Sequence, residues 1–179
     1  MQTVQQKTTA FWIFGYGSLI WKPNFRFICQ KPAILTGWSR RFYQGSPDHR
    51  GTDSHPGRVV TLLPNPSKKC YGMAYQIAST DQDETLQYLD FREQKGYSLL
   101  TENIHFFDDT QTPALVYIAS SQNPHFLGPA AAKDIANQII KSIGPSGSNL
   151  EYFIKLRSAL QQFAPPEEHI EEIFTHLAE

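Results

Sequence analysis

The sequence reads as one α+β domain in which strands come first and helices last. Three observations carry that reading. The chain has 179 residues, the size of one ordinary domain. Its first two-thirds hold short β-prone apolar runs, several of them separated by Gly, Pro, Asn or Asp. From Gly128 onward the apolar residues recur every three or four positions instead. Five or six short strands with one early helix suggest a curled sheet or small barrel.

Phe11–Phe14 is an aromatic run ended by glycines. Ala33–Tyr43, Arg58–Leu63, Tyr71–Ile77, Leu99–Phe107 and Ala114–Ile118 follow as candidate strands. The early helix spans Asp81 to about Gln94. Thr80 can cap it, Asp81, Asp83 and Glu84 suit the positive end of its dipole, and Gly96 is a natural stop. Leu86 and Leu89 share one of its faces. Further on, Ile135, Ile139 and Ile143 recur every four residues beside Ala132 and Ala136. The run Gly144–Ser148 breaks that helix, and Asn149 can cap the next, whose stripe is Phe153, Leu156, Leu160 and Phe163. Pro165-Pro166 ends it and opens a last amphipathic helix with Ile170, Ile173, Phe174 and Leu177. These stripes read as packing faces, not as a cofactor box.

Hydrophobic residues make up 40% and charged ones 18%, which excludes a disordered or membrane-spanning chain. A net charge of -1 gives no electrostatic case for nucleic acid. The charge is uneven, however. Residues 1–60 carry 8 basic and 2 acidic residues, an excess that either attracts a small anionic ligand or is simply solvated. Cys29 and Cys70 form no C-x-x-C pair and no disulfide framework. The polar start Met1–Thr9 lacks the apolar core of a signal peptide, so a cytoplasmic protein is expected, with residues 1–10 flexible. A monomer is expected. The 6 histidines show no H-E-x-x-H and no Cys/His cluster, and no metal site is expected.

Three features can carry chemistry. The first is the loop Gly15-Tyr16-Gly17-Ser18-Leu19-Ile20-Trp21, whose glycines allow a tight turn and whose N–H groups can cradle an anion or oxyanion; a plain structural turn is the alternative. It is neither a Walker loop nor G-x-S-x-G, so Ser18 is a poor nucleophile. The second is Glu93, four residues after Leu89 and therefore on the apolar face. An acid there is costly unless paired or used, and burial raises its pKa to where it can both accept and donate a proton. Alternatively the helix ends early and Glu93 is an exposed partner of Lys95 or Arg92. The third is the polar loop Gln44–Pro56, where Asp48, His49 and Arg50 offer an acceptor, a titratable ring and a guanidinium for a ligand carboxylate, unless the loop is only a mobile hairpin connection.

Assembled, these residues resemble the ChaC family of γ-glutamylcyclotransferases, which degrade glutathione. The segments are FGYGSLIWKPNF at Phe14–Phe25, GWSRRFYQGSPDHRGT at Gly37–Thr52, PGRVVTLLP at Pro56–Pro64, YGMAY at Tyr71–Tyr75, REQKGY at Arg92–Tyr97 and GPSGSNLEY at Gly144–Tyr152. The family's usual R-E-K-x-G-Y has Gln94 in place of its lysine here. The resemblance implies a small γ-glutamylcyclotransferase-like β-barrel with flanking helices and a cofactor-free cyclisation that releases 5-oxoproline and cysteinylglycine. It implies Glu93 as the catalytic acid. By motif match Gly17, Ser18 and Leu19, with Tyr16 and Ile20 beside them, hold the γ-glutamyl group. Arg41, Asp48, His49 and Arg50 are candidates for the cysteinylglycine half. Tyr152 either lends its hydroxyl to the pocket or packs at a helix edge.

Three rivals remain: a cyclotransferase for other γ-glutamyl amino acids or amines, a non-catalytic binding protein on the same fold, and a Ser/His hydrolase using Ser18 and His49. The glutathione-specific reading is favoured by the long DHR segment. Glu93 argues against a mere binder, and the hydrolase fails on its motif.

Overall fold

The computed structural model describes residues 10–93 and 96–178. The expected flexible start (all but Ala10), the helix end near Gln94 and the Lys95 alternative for Glu93 lie outside them. Five strands close into a mixed barrel: β1 (Phe11–Gly15), β2 (Cys29–Ser46), β3 (Gly57–Ile77), β4 (Ser98–Phe106) and β5 (Gln111–Ile118), in spatial order β1-β3-β2-β4-β5. A parallel bridge between Ile13 and Leu115 joins the first strand to the last. Closure removes the unpaired edges that an open sheet would leave.

The two expected strands at Arg58–Leu63 and Tyr71–Ile77 are one. β2 runs antiparallel beside both, pairing Trp38 with Pro64 and Thr36 with Lys69, so the proline-containing stretch between bulges outward without ending the strand. Opposite the bulge, Gly37 takes φ +88°, a conformation that glycine adopts without strain.

Helix α1 (Gln82–Arg92) is entered through a 3-10 turn, Ser79–Asp81, and this shifts the helix start by one residue. Asp81, not Thr80, is at the N-cap, and no side chain caps the helix. Leu89 is fully buried against Ile13, Tyr75, Ile77 and Tyr117, a small cluster that docks α1 on the barrel. Leu86 is only half-buried.

Helix α2 (Ala132–Lys141) buries Ile135, Ala136 and Ile139. It stops short of Ile143, because Ser142 turns extended and its hydroxyl bonds Gln138 O at 2.8 Å. Ile143 is instead exposed in β6 (Ile143–Gly144), paired with β7 (Gly147–Ser148). Helix α3 (Asn149–Leu160) is capped by Ser148, whose hydroxyl accepts the Glu151 N–H at 3.1 Å. Asn149, the expected cap, is wholly buried and holds the backbone of β3, accepting from Arg58 N at 2.6 Å and donating to Arg58 O at 2.7 Å. Helix α4 (Glu168–Leu177) buries Ile170 and Ile173.

His169, on α4, is buried and accepts the Phe42 N–H through Nε2 at 3.0 Å. Burial, with Arg41 and Arg58 nearby, lowers the pKa of the ring from 6.5 to about 4. The unfolded chain therefore takes up this proton near pH 6.5 and the folded chain only near 4, so stability falls as pH drops between those values. Urea unfolding should show the protein about 2 kcal/mol less stable at pH 5 than at pH 7 through this ring alone. The loss should be largely absent in His169→Gln; an equal loss in that variant would assign it elsewhere.

Candidate active site

The chain leaves β1 through Gly15-Tyr16-Gly17 and makes one 3-10 turn, Ser18–Ile20. Crowding requires both glycines. A Cβ on Gly15 would lie 2.6 Å from the Leu19 Cβ, and one on Gly17 would lie 3.1 Å from the Tyr152 hydroxyl. The turn is braced by the barrel. The Tyr16 hydroxyl donates to Tyr117 O at 2.8 Å, the Tyr75 hydroxyl to Leu19 O at 2.6 Å, and Arg40 Nε to Tyr16 O at 2.9 Å. Ile20 N–H bonds back to Gly17 O at 3.0 Å, so the Ser18 and Leu19 N–H groups stand at the open N-terminal end of the turn.

Beside the turn is a cavity of about 320 Å³, within the size range of small-ligand sites. It brings together Tyr16, Gly17, Ser18, Leu19, Asp48, His49, Arg50, Glu93 and Tyr152. Glu93 follows the last residue of α1, and its N–H still bonds Leu89 O at 2.8 Å. The helical spacing thus carries the carboxyl to the apolar side, as the sequence predicts, and its side chain is only 18% exposed. Arg92 Nε lies 3.4 Å from Glu93 Oε1. Burial raises the carboxyl above its ordinary 4.5; Arg92 pulls it down and Asp48 pushes it up. The phenols of Tyr16, Tyr97, Tyr117 and Tyr152 are all raised, first by burial, and stay neutral around it.

Two expected residues lie elsewhere. Ile20 points into the hydrophobic core, where the 3-10 turn directs it. Arg41 is outside the cavity and donates to Arg40 O at 3.2 Å. Arg50 lines the cavity and also braces it. Its Nη1 donates to Ser148 O at 3.0 Å and Glu151 Oε2 at 2.9 Å, which ties the loop to α3. The Gln44–Pro56 segment is therefore no loose connection: Gln44 and Ser46 belong to β2, and Gln44, Ser46 and Arg50 are buried. Tyr152 faces the cavity and accepts the Val60 N–H at 3.4 Å.

The hydrolase reading finds no support in the geometry. His49 Nδ1 lies 3.1 Å from Ser146 Oγ, whereas the Ser18 hydroxyl accepts from Arg92. Burial pushes the Cys70 thiol up to about 12, which keeps it unreactive.

Sequence reasoning missed Arg92, Tyr97, Tyr117 and Gln44 as cavity residues. Arg92 and Tyr97 flank Glu93 in the segment that carried the resemblance, which was signal enough. Gln44 likewise lies in such a segment, Gly37–Thr52, but its amide alone did not mark it out. Its Nε2 donates to Asn123 Oδ1 at 3.0 Å, and that oxygen also accepts His125 N–H at 2.8 Å, which fixes both amide orientations. Gln44 Oε1 is buried and finds no hydrogen-bond partner among the described residues.

The cavity thus joins a buried carboxyl of raised pKa to a glycine turn and neutral phenols, groups that can accept and donate protons at a bound molecule. Residues 11–179 match the family described as ChaC-like protein, and the chain belongs to that family. It is 44% identical over 170 residues to the mouse glutathione-specific γ-glutamylcyclotransferase 1, covering 92% of this chain and 76% of the relative. It is 44% identical over 174 residues to γ-glutamylcyclotransferase 2-3 of Arabidopsis thaliana, covering 92% and 86%. A crystal structure of a yeast γ-glutamyl cyclotransferase specific to glutathione superposes with a TM-score of 0.86 at 31% identity, covering 94% of this chain and 97% of that one.

The raised Glu93 carboxyl has a stability consequence. The folded state holds this proton more tightly than the unfolded state, so ionisation costs stability above the ordinary 4.5, and the cost disappears as pH falls below it. Glu93→Gln should melt above wild type at pH 8, and the gap should close by pH 4. A variant that melts below wild type at pH 8 would refute this reading of the burial.

Proposed function

We propose that this chain cyclises the γ-glutamyl group of glutathione, releasing 5-oxoproline and cysteinylglycine, with Glu93 as general base and then general acid. The observation that carries the reading is the buried carboxyl of raised pKa on the wall of the cavity, beside the glycine turn. The names of the similar mammalian and yeast proteins support glutathione as the substrate.

A peptide-type α-amine is mostly protonated near neutral pH and must lose a proton before it can attack. Glu93 takes that proton. The freed nitrogen lone pair forms a bond to the γ-carbonyl carbon, and the carbonyl π electrons move onto oxygen. The Ser18 and Leu19 N–H groups receive this oxyanion. When the intermediate collapses, the carbonyl re-forms, the bond from the γ-carbon to the cysteinyl nitrogen breaks, and Glu93 returns its proton to that nitrogen. The carboxylate so regenerated takes the second proton from the ring nitrogen, leaving a neutral lactam, and passes it to the released amine or to water. Protons and charge balance without a covalent enzyme intermediate. A carboxyl whose pKa is raised suits both halves, since it is neither too weak a base nor too weak an acid.

The cavity also helps by geometry. Holding the γ-glutamyl chain folded brings amine and carbonyl into five-membered contact and removes much of the entropy cost of closure. Gly17, with no side chain, leaves the carboxylate and amine of that chain room beside the Tyr152 hydroxyl. Asp48 and His49 line the same cavity and are the candidates to meet the cysteinylglycine half, with Gln44 Oε1 as an acceptor for a substrate N–H.

The test is release of 5-oxoproline and cysteinylglycine from reduced glutathione by wild type and Glu93→Gln. Wild type should turn over, and the variant, still folded, should lose about 10²- to 10⁴-fold in kcat. Turnover by both would remove Glu93 from the chemistry. Turnover by neither, in folded protein, would overturn the reading.

A further inference from the structure

Arg92 is the cavity residue that the mechanism above leaves without a task. Its side chain is 17% exposed, at the last position of α1. Four acceptors surround its guanidinium: the Ser18 hydroxyl at Nη2, Lys22 O at 3.1 Å and the Tyr88 hydroxyl at 3.3 Å from Nη1, and Glu93 Oε1 at 3.4 Å from Nε. Two of these, Ser18 and Lys22, belong to the glycine turn and the residues just after it; the others belong to α1.

On this geometry we infer that Arg92 is a positioning residue, which ties the Glu93 carboxyl to the glycine turn so that the base and the oxyanion-binding N–H groups move as one unit. The inference rests on the proposed cyclisation and deepens it. Glu93 follows a helix C-terminus, whereas the turn follows a strand on the opposite side of the cavity. Among the described residues no backbone hydrogen bond joins their main chains, so side chains set the spacing between them. A planar fork with several donors in fixed directions can hold two elements at one separation, which a lysine ammonium cannot do as well.

The electrostatics point the same way. The charged and titratable groups that face Glu93 are Arg92 on α1, Asp48 on the turn between β2 and β3, and the phenols of Tyr16, Tyr97, Tyr117 and Tyr152. His49 and Lys22 line the same cavity. Among the described residues that shift Glu93, Arg92 favours the carboxylate, against both burial and Asp48. Removing it should leave the base protonated to higher pH.

The experiment is the pH profile of kcat/KM for glutathione in wild type, Arg92→Gln and Arg92→Lys, with folding checked by circular dichroism. Arg92→Gln should lose about tenfold more activity at pH 6 than at pH 9, because its acidic limb moves upward. Arg92→Lys should restore the limb toward wild type, yet keep a lowered kcat, because the charge returns without the fork. Equal losses at every pH in Arg92→Gln, or full recovery of kcat in Arg92→Lys, would overturn the inference. A second readout needs no turnover: the Glu93 carboxyl resonance in protein carrying 13C-carboxyl glutamate, assigned by its loss in Glu93→Gln. It should titrate at higher pH in Arg92→Gln, and an unmoved titration would overturn the inference. If wild type releases no 5-oxoproline, the proposed function fails, and the titration alone decides on Arg92.

Discussion

The structure depends most on one buried cation. Arg40 has a side chain with 0% exposure, and its donors are distributed over three parts of the molecule. Nε holds Tyr16 O in the glycine turn, Nη2 holds Tyr71 O in β3, and Nη1 meets Glu167 Oε1 at 2.5 Å, at the start of α4. A charge in a barrel interior is tolerated only when its hydrogen bonds are met, so the turn, the barrel wall and the C-terminal helix are fixed relative to one another. Breaking such a pair from one side typically costs about 3–5 kcal/mol, far more than a surface ion pair is worth. The backbone carbonyl it holds is the one just before Gly17. The position of the oxyanion-binding groups is therefore set from inside the core.

A second constraint explains why the two most specific motifs occur together. The turn after Gly144 packs on the DHR segment so closely that a Cβ on Gly144 would lie 2.3 Å from His49 O. Ser146 N donates to that same oxygen at 2.9 Å, and Arg50 reaches across to Ser148 O and Glu151. Asn149 then pins β3 through Arg58. Much of the sequence signature is thus a clamp between α3 and the connection from β2 to β3. The clamp leaves Asp48 and His49 facing the cavity while it takes up Arg50.

The strands, the three C-terminal helices and the place of Glu93 were legible because each follows from local periodicity. Leu89 and Glu93 are one helical turn apart, and burial of the first dictates the side on which the second lies. What was not legible needed partners far away in sequence. That Arg58–Leu63 and Tyr71–Ile77 are one strand depends on β2 lying alongside both, with Gly37 opposite the bulge. Ile143 has the right spacing for α2 but loses it to the hydroxyl of Ser142. Arg50 and Arg41 look like ligand-binding cations in sequence. Only the fold shows that the first also pairs with Glu151 and that the second is outside the cavity.

The site's chemistry follows from what is kept neutral as much as from what is charged. Four buried phenols line or border the cavity, and burial keeps each of them protonated. They present hydroxyls and ring faces without adding charge, so the effective dielectric around Glu93 stays low and each nearby charge acts strongly. Asp48 and Arg92 then oppose one another across the acid, the first favouring its protonated form and the second its ionised form. A carboxyl buried alone would hold its proton too well to serve as a base. A carboxyl paired closely with a guanidinium in water would be too weak a base and would have no proton to return. In the proposed cyclisation, an acid held between burial and a nearby guanidinium serves first as base and then as acid, at the cost of some stability as pH rises.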